Sequence, residues 1–414
     1  MRKRYPTDQL HILVAKRNSA NYTYDGIEVG GERLAQEIED ELAELAQSGS
    51  RIIKISFVGY SLGGIIARYC IGLFFSRGLF DRLRPVNFTA FASPFLGVRV
   101  PNRGYHSVIY NILASQMLSA SGRQLFLVDT YRDSGHPLLE VMTDPNSIFI
   151  AGLKQFENRA LYANIVNDFF APWFTTSFTK IDPFVDLDTV QLKYMKGYDS
   201  VLLDPVQPVQ RKEFEELGVL GGIYNRILSS ASKLPYYGLL GVTLPIALAA
   251  LTVNSGIQAI RSHQRVLLHI SNKAGSFESY HVPYLLDSAL DTLATAEIHS
   301  YVSGSETPPV SIGPTKFKED GSTSADATRP SESREQQQRG VEQAVTAPGF
   351  QPLALDPRQE QMIDALSTLG IRKYPVYIAK AHHSHAAIIV RKNGSNMHEG
   401  YVVLQHWLDH EFQM

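Results

Sequence analysis

Cysteine is almost missing from this chain: among 414 residues there is one, Cys70. A lone thiol excludes a disulfide framework and fits a reducing, intracellular compartment. Net charge is also small, with 39 Lys and Arg against 41 Asp and Glu, a balance of −2. The broad basic surface that holds nucleic acid is therefore not expected. The basic start, "MRKRYPTDQL", has no apolar stretch behind it, so it does not read as a secretory leader. No internal repeat occurs, which sets repeat architectures aside. What is present is apolar chain: 44% hydrophobic against 19% charged residues, enough for at least one large core.

The apolar residues fall into alternating patterns. "LHILVA" (Leu10 to Ala15) is a short apolar run expected to be a buried strand. In "GGERLAQEIEDELAELAQ", Leu34, Ile38, Leu42 and Leu45 recur at helical spacing. "RIIKISFVG" follows as a strand, "GGIIARYCIGLFFSRGLF" as a helix and "VNFTAFASP" as a strand. "RALYANIVND" (Arg159 to Asp168) is a further strand ending in an acid. Near the end, "PRQEQMIDALSTLG" reads as a helix stopping at Gly370 and "YPVYIAKA" as a strand. Strands alternating with helices imply an α/β fold, a mostly parallel sheet with helices on both faces.

Between these parts the character changes. Residues 304–348 are rich in Pro, Ser, Glu and Gln and nearly free of large apolar residues, so a disordered linker is expected. "PYYGLLGVTLPIALAALTV" (235–253) carries no charge. It is long enough to enter or span a hydrocarbon core, or to form a buried helix of the globular part. The expected organisation is a first core part over 1–200, an insertion over 201–303 containing the apolar segment, the linker over 304–348, and a last core part over 349–414.

Gly59-Tyr60-Ser61-Leu62-Gly63 fits G-x-S-x-G, with a strand before it and a helix after it. That context makes Ser61 the candidate nucleophile. The serine of such a turn sits on strained backbone, so Gly59 and Gly63 are expected to be glycine because a side chain there would not fit. The Leu62 N–H, at the helix N-terminus, is the expected oxyanion donor. A serine needs a base and an orienting acid, in the chain order Ser, Asp/Glu, His. Asp168 follows a strand, where such sheets carry their sites. Asp182, Asp186 and Asp188 have no apolar strand leading into them. "HHSHAAII" offers His382, His383 and His385 for the base, with His385 favoured because a small-then-apolar stretch follows it. His383 and His385, two apart, lack the Cys or acid partners of a metal site, so neither a metal nor another cofactor is expected.

With these residues placed, the chain resembles the fungal DUF676-type serine esterase and lipase family of α/β-hydrolases. The stretches that carry the likeness include "NYTYDGIEVGGERLAQEIE", "ISFVGYSLGGIIARYCIG", "NFTAFASPFLGVR", "RALYANIVNDFFAPWFTTSF" and "KYPVYIAKAHHSHAAIIVR". The resemblance implies a triad of Ser61, Asp168 and His385. It also implies hydrolysis of lipid esters, phospholipids among them, at a membrane or lipid-droplet surface. Phe95 stands in "SPFLG" where "TPHLG" is expected, a change at the site wall. The family opens with a strand and an H-G-x-W-G-type loop ahead of the "HILVA" strand. This sequence starts after them, so an N-terminally incomplete chain is expected. The absent strand would lie between "HILVA" and "KISFV", and the absent loop would give the second oxyanion amide. A catalytically impaired, membrane-associated protein of the same fold is the alternative.

Overall fold

The computed structural model describes residues 1–101, 111, 119–198, 200–212, 256, 260–262, 264–265, 350–381, 383–392 and 394–414. The apolar segment 235–253 and the linker 304–348 lie outside the described residues. Among the described residues no helix is long and apolar enough to cross a membrane.

Four strands form the central sheet: β1 (Lys54–Tyr60), β2 (Arg84–Phe91), β3 (Asn158–Asn164) and β6 (Arg372–Val376). They lie in the order β1-β2-β3-β6, and every pairing is parallel. Helix α1 (Ile27–Gln47) precedes β1, α2 (Leu62–Ser76) connects β1 to β2, α3 (Ile148–Lys154) precedes β3 and α4 (Pro357–Ser367) precedes β6. The short helix α5 (Ser384–Ala387) and α6 (His398–His406) follow β6. A side strand pair, β4 (Val190–Leu192) and β5 (Val209–Arg211), is antiparallel.

The strands alternate between two cores, as the two-residue period of a strand requires. Phe88 and Ala90 of β2 and Leu161 and Ala163 of β3 join the core under α1, α2, α3 and α4. Phe91, Tyr162, Tyr374 and Val376 face the opposite core, closed by Val403, Trp407 and Phe412. Both faces are covered over the central strands β2 and β3, which are buried almost throughout, whereas edge strand β1 leaves Lys54, Ser56 and Val58 exposed. The α/β expectation therefore holds.

Three expectations change. Residues 10–15 form no strand and do not pair with β1. Where their backbone bonds, it bonds locally: the Leu10 N–H donates to the Pro6 carbonyl (3.1 Å) and the Leu10 carbonyl accepts from the Arg2 guanidinium (2.6 Å). Just beyond, Lys16 and Arg17 N–H donate to the Glu37 carboxylate on α1. A strand exists only with a ladder beside it, and no described strand lies on that side of β1. Second, β3 ends at Asn164, so Asp168 sits on a turn beyond the strand. Third, residues 201–203 bond to the strand end at β6: Leu203 N–H donates to the Pro375 carbonyl (3.0 Å) and Tyr377 N–H to the Val201 carbonyl (2.7 Å). That part of the 201–303 stretch packs with the sheet.

One tie fixes a distant piece. Asp25, fully buried just before α1, pairs with Arg33 (2.8 Å) and Arg265 (2.7 Å). Ser262 Oγ donates to the Tyr24 carbonyl (3.2 Å). Residues 262 and 265 are thereby pinned to the start of α1. Breaking a buried pair of this kind typically costs about 3–5 kcal/mol, because the remaining charge stays desolvated.

Candidate active site

β1 ends at Tyr60, and Ser61 takes φ 53°, ψ −129°, a conformation that costs a residue with a side chain. The turn is held from both sides. The Ser61 N–H donates to the carbonyl of Phe91 at the end of β2 (2.9 Å), and the Gly64 N–H donates to the Ser61 carbonyl (3.1 Å). The chain can turn this sharply only if β1 and α2 approach closely. A Cβ on Gly59 would lie 2.4 Å from Gly64 Cα, and a Cβ on Gly64 would lie 2.2 Å from Ser93 Oγ. A Cβ on Gly63 would meet nothing within 4 Å. The steric expectation for Gly63 is thus corrected: the crowded glycines are Gly59 and Gly64. The Leu62 N–H, at the first position of α2, is one of the donors that a helix leaves without an internal acceptor.

After β3 the chain reverses through Asn167, at φ +58°, and brings Asp168 back beside the strand end. Its carboxylate accepts four hydrogen bonds. Oδ1 takes the N–H groups of Phe170 (3.2 Å) and Ala171 (2.8 Å), and Oδ2 takes Asn164 Nδ2 (2.8 Å) and His385 Nδ1 (2.9 Å). Its side chain is 1% exposed. Beyond β6, Ser384 opens α5 and its Oγ donates to the Val166 carbonyl (2.7 Å), tying the His loop to the Asp turn. His385 Nε2 then lies 2.9 Å from Ser61 Oγ. A carboxylate oxygen accepts, so the tautomer that satisfies both contacts carries its proton on Nδ1 and presents the Nε2 lone pair to the Ser61 hydroxyl.

The first 180 residues match a serine esterase family. Its description is "Putative serine esterase (DUF676)", matched over residues 1–180, a stretch that holds Ser61 and Asp168. The chain is similar to "Putative lipase ROG1" of Saccharomyces cerevisiae, 31% identical over 217 residues, covering 52% of this chain and 30% of that protein. It is similar to "Putative lipase C4A8.10" of Schizosaccharomyces pombe, 29% identical over 211 residues, covering 48% of this chain and 26% of that one. The chain thus spans less than a third of the length of these relatives. No solved structure matches it.

The remaining candidates separate on geometry. His383 does not make the two contacts of His385; its carbonyl accepts the Ala387 N–H and starts α5. His382 lies outside the described residues. Asp182 and Asp186 accept the N–H groups of Phe184 and Asp188 within their own turns. Among the described residues no group of three or more His, Cys, Asp or Glu could hold a metal ion.

The His385 ring is 13% exposed and lies between two aromatic rings, Tyr60 at 5.0 Å and Phe170 at 5.4 Å. Burial pushes the Tyr60 phenol well above its ordinary range, so the hydroxyl stays neutral. Phe169 and Phe170 are 52% and 48% exposed, an apolar pair at the rim of the site. Sequence reasoning missed Asn164, Gly64, Ser384 and Phe170. The signal for Asn164 was its place in "YANIVND", a polar amide inside an apolar strand.

Proposed function

We propose that this protein is a serine ester hydrolase acting on lipid esters, phospholipids among them, through an acyl-enzyme on Ser61. The observation that carries the reading is the hydrogen-bonded line from Ser61 Oγ through the His385 imidazole to the Asp168 carboxylate. His385 Nε2 takes the Ser61 proton as Oγ bonds to the acyl carbonyl carbon. The carbonyl oxygen gains the negative charge and the Leu62 N–H stabilises it. One such donor is typically worth about 10²–10³ in kcat. The imidazolium gives its proton to the leaving alcohol as the C–O bond breaks. A water then repeats the sequence, its proton going to His385 and its oxygen to the acyl carbon; the acyl–Oγ bond breaks, His385 returns the proton to Ser61 Oγ, and the acid is released. Asp168 stays ionised and holds the ring.

Two observations support lipid as the substrate class. The similar fungal proteins carry lipase names, and Phe169 and Phe170 expose apolar surface beside His385, where an acyl chain or a lipid surface would meet the site. In this reading the catalytic core is formed by residues 1–200, the 201–203 stretch that bonds beside β6, and residues 349–414. The 235–253 segment adds contact with an intracellular membrane or lipid droplet.

Hydrolysis of a short-chain nitrophenyl ester and of phosphatidylcholine vesicles tests the reading, with Ser61→Ala as the comparison. Loss of the nucleophile should lower kcat by roughly 10³-fold or more. Equal rates would overturn it. A fluorophosphonate probe should label wild type at Ser61. Absence of label on folded protein favours the impaired, lipid-associated alternative.

A further inference from the structure

We infer that Asn164 is a positioning residue: its amide holds the Asp168 carboxylate in the one orientation that presents Oδ2 to His385. The inference rests on the proposed hydrolytic reading and extends the site by one residue.

Asn164 is the last residue of β3 and is 1% exposed. Its Nδ2 donates to Asp168 Oδ2 at 2.8 Å, the same oxygen that accepts His385 Nδ1 at 2.9 Å. The amide can only sit this way round, since its oxygen against a carboxylate would repel. In this orientation Asn164 Oδ1 is buried and has no hydrogen-bond partner among the described residues. A buried amide oxygen without a donor is a cost to folding, and an apolar residue of similar size would avoid it. The amide is therefore poorly explained as a packing residue and well explained by what its N–H does.

The Asp168 turn needs such a hold. The Phe170 and Ala171 N–H groups fix Oδ1 from the chain that follows. On the Oδ2 side, Asn164 is the donor from the sheet. With it gone, the carboxylate could pivot about Oδ1, and the direction of Oδ2 would be set by His385 alone. Partners that orient a metal ligand from behind are commonly worth about 10- to 100-fold, and the same scale is taken for the amide behind Asp168.

The test is the rate of fluorophosphonate labelling at Ser61 across pH, with melting temperatures alongside. The proteins are wild type, Asn164→Leu, Asn164→Asp and the Ser61→Ala blank. Asn164→Leu removes the donor and the orphan acceptor together. The lost hydrogen bond to Asp168 and the removed orphan oxygen offset each other, so its melting temperature should stay near that of wild type, while its labelling slows by about 10- to 100-fold. Asn164→Asp puts two carboxylates together, and such a pair shares one proton at low pH. That proton restores a donor to Asp168 Oδ2. The labelling rate of Asn164→Asp relative to wild type should therefore be highest on the acid side and fall as the shared proton leaves. Wild-type labelling by folded Asn164→Leu would overturn the inference, as would a pH-independent ratio for Asn164→Asp. If wild type itself fails to label at Ser61, the hydrolytic reading fails and takes this inference with it. Normal wild-type labelling with an unaffected Asn164→Leu removes only the role of Asn164.

Discussion

Three glycines around Ser61 should respond to the same substitution in opposite directions. In Gly59→Ala the new Cβ would stand 2.4 Å from Gly64 Cα and 2.6 Å from Gly64 N, where ordinary contact begins at 3.4 Å. Both neighbours are backbone, so relief requires lifting the start of α2 off β1, and that breaks the turn holding Ser61. The cost belongs at or above the top of the usual overpacking range of about 1–3 kcal/mol. In Gly64→Ala the closest atom is the rotatable Ser93 Oγ, but Ser93 Cβ at 2.9 Å cannot rotate away. This change should fall inside the same range. Gly63→Ala meets open space in the first turn of α2. Removing a helical glycine there should gain about 0.5–1 kcal/mol. Gly59→Ala and Gly63→Ala should thus differ by about 3–4 kcal/mol, or roughly 10 °C in Tm for a domain of this class. Calorimetry or urea melts of the three variants measure the difference. A tight approach of β1 to α2 is refuted if Gly63→Ala loses as much stability as Gly59→Ala, or if Gly59→Ala melts with wild type.

Phe169 lies half exposed at the rim. Burying its remaining surface in lipid is worth about 1 kcal/mol, half of the ~1.5–3 kcal/mol for a whole large apolar side chain. Phe169→Ser should therefore weaken vesicle binding roughly fivefold, a larger effect than on its Ser61 labelling in solution; unchanged vesicle sedimentation would count against a lipid-facing rim. Ser384 is fully buried and bonds across to Val166. Ser384→Ala should lower stability by about 1 kcal/mol and reduce kcat without raising KM. A change confined to KM would show that the tether does not direct His385.

What could be read in advance follows from what a sequence encodes locally. The β1–turn–α2 unit is contiguous: its strand pattern, its glycines and its helix all lie within one stretch, so Ser61 was legible at once. Asp168 and His385 were legible as residues placed just beyond apolar strands, because a parallel sheet puts its site at those ends. "HILVA" was misread because its composition suits a strand, while strand formation depends on a partner that composition does not supply. Gly63 and Gly64 could not be ranked, because the deciding contact is with Ser93 on the next strand connection. Arg68 shows the same limit. It lies on α2 wholly inside the core, its guanidinium over the Phe95 ring at 5.0 Å and donating to the Met142 carbonyl at 3.0 Å. Burial pushes its pKa down to about 9. Nothing in "IIARYC" marks that cation as buried.

The strand order gives these side chains a common physical problem. Ser61 leaves β1, Asp168 follows β3 and His385 follows β6, and β1 and β6 are three strand spacings apart in the order β1-β2-β3-β6. At ~4.8 Å per spacing, His385 must reach back about 14 Å across the top of the sheet to meet Ser61. A free loop would sample that position rarely, because each loop residue fixed costs conformational entropy. The fold shortens the problem in stages. The turn through Asn167 folds Asp168 back over β3, Ser384 bonds to Val166 in that same turn, and the imidazole is then closed between the rings of Tyr60 and Phe170. The Asp168 turn is therefore the bridge between the two ends of the site, and a residue that stiffens it acts on Ser61 without touching it. This is why the buried amide of Asn164, its oxygen unpaired among the described residues, belongs to the chemistry of the site more than to the packing of β3.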